Sequence, residues 1–164
     1  MKKIINITFV TFACVLCFST SAKAQICNAH HTEKKECPPS TDNFILNGQS
    51  RSALMYKGQK SKVNVIFHDK QDYRISLCPQ EILGPEVEFK IKDGKTEEVL
   101  YDNMEEDGTL IFEFSCQQTQ RMILEIKIPD EGDGGSNKLS KLKSSTSGCL
   151  GVLIEYMATP KTGF

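Results

Sequence analysis

Apolar side chains return at every second position through most of this chain. In "SKVNVIFHD" Val63, Val65 and Phe67 share one face, and in "DYRISLC" Tyr73, Ile75 and Leu77 do. "EVEFKIKD" sets Val87, Phe89 and Ile91 against Glu88, Lys90 and Lys92. The same rhythm places Leu110, Phe112 and Phe114 together, then Met122, Leu124, Ile126 and Ile128, then Leu150, Val152, Ile154 and Tyr156. A period of two is the mark of a strand with one face buried and one wet. "SALMY" (52–56) and "EEVLYD" (97–102) are weaker strand candidates, and turn signals such as "KGQK", "LGPE" and "DGKT" lie between the runs. No long segment carries a helical stripe. The pattern predicts an all-β fold, an antiparallel, jelly-roll-like β-sandwich of about eight strands. Its two sheets bury their apolar faces against each other.

The first residues have another logic. Lys2 and Lys3 precede an apolar run from Ile4 to Phe18, and Ala22 and Ala24 then form an A-x-A site before Gln25. This is the pattern of a secretory signal peptide over residues 1–24. The run falls short of the roughly 20 residues of a membrane span, so no membrane span is expected. "CVLC" at 14–17 has redox or metal spacing but lies within this leader. Removing 24 of 164 residues leaves a 140-residue chain, the size of one domain. Removing Lys2, Lys3 and Lys23 from 20 basic residues leaves 17 against 21 acidic ones, a net charge of about −4. No basic excess attracts nucleic acid or anionic lipid. The expected location is exported, either periplasmic or extracellular. The expected organisation is an N-terminal loop over 25–43, closed by a disulfide, and a β-sandwich domain over 44–164. A mobile loop is expected over 129–148, where apolar content is almost nil.

Export means oxidising surroundings, where disulfides persist. Five cysteines follow the leader: Cys27, Cys37, Cys78, Cys116 and Cys149. Strand parity sorts them. Cys116 continues the Leu110/Phe112/Phe114 face and points into the core, as a free buried thiol. Cys78 and Cys149 both point away from the core faces of their strands. The expected bridges are therefore Cys78–Cys149, by shared face, and Cys27–Cys37, by local closure. "CNAHHTEKKEC" (27–37) also offers two thiolates and two imidazoles, the donors of a tetrahedral zinc site. Its spacing is not a standard one, and a disulfide with His30 and His31 exposed in the loop is the expected arrangement.

The segments "YRISLCPQEILGPEVEFKIKDGKTEEVLYDN", "FEFSCQQTQRMILEIKIP" and "GCLGVLIEY" together resemble small exported bacterial proteins of unassigned function. Their order is similar to that of bacterial pre-peptidase C-terminal β-sandwich domains, over roughly residues 50–157. The resemblance implies the sandwich fold and supplies no catalytic residue.

The chain has no G-x-S-x-G, no H-E-x-x-H and no glycine-rich phosphate loop. His68 reads as a solvated strand-end residue. The acidic turns "DNMEEDG" (102–108) and "DEGDGG" (130–135) do not follow the calcium-loop pattern. Trp is absent, and Tyr73 and Tyr156 belong to the core, which leaves few aromatic platforms for sugars. The expected function is an exported, non-catalytic binding or structural module without cofactor or metal. Its expected partner is another exported or cell-surface protein. The alternative is a secreted hydrolytic enzyme with a site spread over several strands. Mass spectrometry of the exported protein is expected to find Gln25 at the N-terminus, and a retained Met1 would refute the leader.

Overall fold

The computed structural model describes residues 27–130 and 146–159. The leader, and all but the ends of the segment expected to be mobile (129–148), lie outside the described residues. The strands are β1 (Ile45–Leu46), β2 (Arg51–Tyr56), β3 (Lys60–Phe67), β4 (Gln71–Pro79), β5 (Glu88–Asp93), β6 (Val99–Asp102), β7 (Ile111–Cys116), β8 (Gln120–Lys127) and β9 (Ser147–Ala158). They form an all-β sandwich of two antiparallel sheets. One runs β1-β9-β4-β7 with β2 also on β9, and the other runs β3-β8-β5-β6. β2 pairs with β9, β3 with β8, β4 with β7 and β5 with β6. This nesting is that of one long hairpin rolled up, as in a jelly roll. The roll closes where β9 meets β4 and β8 meets β5.

Each alternation read from the sequence faces the core. Val65 and Phe67, Tyr73, Ile75 and Leu77, and Phe89 and Ile91 are buried in one cluster with Met122, Leu124, Ile126, Leu150, Val152 and Ile154. Phe112, Phe114 and Tyr156 pack against it from the side. Aromatic rings fill one end. Phe67 meets Tyr73 edge-on at 4.7 Å, and Tyr101 stacks on Phe112 at 3.9 Å. Tyr73 also ties a turn down, since its hydroxyl donates to Gln71 and accepts the His68 N–H. Cys116 is a buried free thiol in this cluster. Burial in apolar surroundings pushes its pKa up, so it packs as a small apolar side chain.

The disulfides differ from expectation. Cys27 bonds to Cys149 and Cys37 to Cys78, so neither the Cys27–Cys37 nor the Cys78–Cys149 bridge exists. Cys78 and Cys149 do share the outer face, but register keeps them apart. Cys78 lies opposite Gly151, which makes Cys149 its diagonal neighbour. Diagonal Cβ atoms are roughly 7–8 Å apart, while a disulfide needs about 3.5–4.5 Å. Each cysteine instead reaches one end of the N-terminal segment, which lies flat across both strands. That segment is thus a cap stapled to the sheet, not a loop closed on itself. The far end of the expected mobile loop is also corrected, because β9 already begins at Ser147.

The cap sits so low that β9 needs a glycine beneath it. A Cβ on Gly151 would lie 3.1 Å from the His31 Cα and 3.3 Å from the His30 ring. Both contacts are with groups fixed by the staples. Gly151→Val is expected to lower the unfolding free energy by about 1–3 kcal/mol, read by urea titration with both bridges intact. Peptide mapping without reduction is expected to find 27–149 and 37–78 linkages. A peptide joining Cys27 to Cys37 would contradict this arrangement.

Candidate functional site

Most of the outer face of a sandwich sheet is open to water, but part of this one is not. Ser76, Cys78, Cys149, Leu153 and Glu155 all project from it and are buried. Residues 27–40 cover them. The cap begins with a 3-10 turn at His30–Thr32, and the Cys37 N–H closes a further turn onto the Glu33 carbonyl. The two histidines, expected to be exposed, are fasteners. His30 is buried, and its Nε2 donates to the Cys78 carbonyl at 2.9 Å. Ser52 Oγ accepts the His31 backbone N–H at 2.7 Å and lies 2.6 Å from His31 Nδ1. The hydroxyl has one proton and two lone pairs, so it can accept the backbone N–H and donate to Nδ1 of a neutral ring. Burial, then the neighbouring His30, hold the His31 pKa below its ordinary value. With both cysteines oxidised and His30 turned onto a carbonyl, "CNAHHTEKKEC" does not assemble a zinc ligand set.

Between the cap and β1 lies a groove of about 230 Å³. Leu153 and Glu155 of β9 form its floor. Pro39 and Ser40 wall one side, Phe44 and Leu46 the other, and His31 and Lys34 stand at the rim. Glu155 is 3% exposed. Its two carboxylate oxygens accept only the Ser40 N–H, at 3.1 Å each, among the described residues. Arg74 lies directly across from Glu155 in register but turns to Glu113, with its Nε 3.6 Å from that carboxylate. A buried carboxylate with a single neutral donor is incompletely compensated. Sequence reading did not single out Glu155, Ser40, Phe44 or Leu46.

The other sheet's outer face shows the compensated case. Glu125 of β8 is also buried, yet Lys60 and Lys92 reach it at 2.9 and 3.1 Å. Burial pushes its pKa up, but the hydrogen bonds and charges of the two lysines outweigh this and hold it below the usual carboxylate range. Lys90 pairs with Asp102 and Lys127 with Glu88. This face is a lattice of satisfied charges. The turn after β6 is occupied too. Asp102 accepts the Met104 N–H, and buried Asn103 binds the backbone of Phe89 and Val87. Of the second acidic turn, only Asp130 is described. His68 is exposed at the end of β3.

Neither a protein-family model nor a curated protein matches this chain. Among solved structures, it is similar to the periplasmic g-type lysozyme inhibitor PliG of Aeromonas hydrophila. That match has 6% identity and a TM-score of 0.43, and covers 66% of this chain and 84% of that one. It is also similar to PliG of Salmonella Typhimurium, with 8% identity and a TM-score of 0.39, over 66% of this chain and 89% of that one. At these values neither likeness assigns a function to this chain.

The His31 geometry predicts a pH response. The closed cap favours the neutral ring, so this contribution is fully present above the ordinary imidazole pKa. It is lost as pH falls below that value toward the depressed one. The His31 amide is expected to exchange its hydrogen faster, relative to intrinsic rates, at pH 5 than at pH 7. In His31→Asn, where a carbonyl oxygen replaces the ring acceptor, the ratio is expected to be flat. Equal protection of wild type at both pH values would contradict the assignment.

Proposed function

We propose that this chain is an exported, non-catalytic β-sandwich module that binds another exported or cell-surface protein through the groove beside the cap. The observation that carries the reading is a groove with one covalently anchored wall beside an open strand edge. Cys37–Cys78 anchors the cap near the groove, and Cys27–Cys149 anchors its far end. β1 is the outermost strand of its sheet in this region, and its Ile45 and Leu46 are exposed. A preformed wall reduces the ordering cost of association. An open edge with apolar flanks suits the addition of an extended segment. Two bridges within one small domain support an oxidising compartment, in line with the leader-like N-terminus.

The β3 edge, by contrast, is blocked. Gln49 donates its side-chain amide to the Ile66 carbonyl and accepts the Ile66 N–H, imitating a neighbouring strand. This contrast defines the experiment. A photoreactive residue is placed at Leu46 or Pro39, and at Asn64 on the charged face as control, in cells that export the protein. Discrete adducts with one other protein are expected at Leu46 and Pro39 and not at Asn64. Adducts equally abundant at all three positions, or at none, would overturn the reading.

A further inference from the structure

The unusual feature of the groove is its floor. Glu155 is as buried as Glu125, but among the described residues no cation forms an ion pair with it. We propose that the groove receives an arginine side chain from an extended segment of the partner protein, laid along β1, with its guanidinium on the Glu155 carboxylate. This deepens the proposed function and rests on it.

Backbone geometry supplies the place for the segment. Asn47 N–H donates to the Ile154 carbonyl, so Leu46, opposite Glu155, falls between hydrogen-bonded positions. Its own N–H and C=O therefore point away from β9, toward the open edge. A segment added there can exchange both bonds with Leu46. Its residue opposite Leu46 projects onto the same outer face, two strands from Glu155.

Geometry then selects the side chain. Two strand spacings are roughly 10 Å, which only a long side chain can span to meet a glutamate. Its stem would lie on Leu46 and Leu153, and its head would meet a carboxylate away from water. Long cationic side chains bury apolar stems in this way. Arginine suits better than lysine, because a planar guanidinium pairs with both carboxylate oxygens and is the more weakly hydrated cation. Arg74, the nearest cation in register, points its Nε toward Glu113 at 3.6 Å and forms no ion pair with Glu155 among the described residues. Lys34 at the rim opposes a second positive charge and so tempers affinity.

The test uses the exported, disulfide-intact protein and a blocked peptide, acetyl-Thr-Val-Arg-Val-Thr-amide. The control peptide carries citrulline, which is neutral and of the same shape, in place of arginine. Binding is followed by amide shifts in nuclear magnetic resonance. The arginine peptide is expected to shift Ser40 and Leu46 and to bind about tenfold or more tightly than the citrulline peptide. Glu155→Gln is expected to erase the difference. Lys34→Gln, on the exposed rim, is expected to strengthen arginine binding, and this arm stands if Glu155→Gln fails to fold. Equal affinities for the two peptides, shifts confined to the charged face, or no shift at millimolar peptide would overturn the inference. Removing residues 160–164 is expected to change nothing. A tenfold gain on removal would make the chain's own Lys161 the occupant and would equally overturn it. Adducts at Leu46 in cells with no preference for arginine would sink this inference alone, whereas loss of those adducts would sink the parent reading.

Discussion

Burial of both faces of β9 is the constraint on which the rest of this molecule depends. One face belongs to the core, through Leu150, Val152 and Ile154. The other carries Cys149, Leu153 and Glu155, all buried under the cap. β9 also pairs with β1, β2 and β4. Without the cap, Leu153 and the diagonal cysteines would be exposed and β9 would be an ordinary half-wet strand. With it, the sheet gains a partial third layer, and the groove exists because that layer stops short of β1.

The inner faces were legible in the sequence because period two is a local property. Parity placed Tyr73, Phe89, Leu124 and Val152 correctly without any knowledge of strand partners. The bridges were not legible in the same way. Parity showed that Cys78 and Cys149 share a face, but the two-residue offset between them is set by the pairing of β4 with β9. Local closure favoured Cys27–Cys37, because proximity along the chain outweighed an unseen sheet surface. β1 has only two residues and no alternation to detect. Two signals of the cap were present in "GCLGVLIEY". Leu153 and Ile154 are adjacent apolar residues, as on a strand buried on both sides. Gly151 in the strand interior marks a close backbone approach. Glu155 gave no sign, since an outward acidic residue reads as solvated until something covers it.

The two buried carboxylates show how context decides what a glutamate means. Glu125 lies among lysines whose stems shield it and whose ammonium groups neutralise it, a self-sufficient arrangement. Glu155 faces an apolar groove with one backbone amide for company. The first stiffens a surface. The second leaves a buried carboxylate without an ion pair, among the described residues, beside the edge strand β1.

The bridges also have a consequence in time. Cys27–Cys149 spans 122 residues and encloses Cys37–Cys78, which spans 41. A chain that emerges N-terminus first presents Cys27 and Cys37 together, long before either native partner. A ring closed in that order would be mispaired. Thiol exchange would have to undo that ring before the last strand can be sealed.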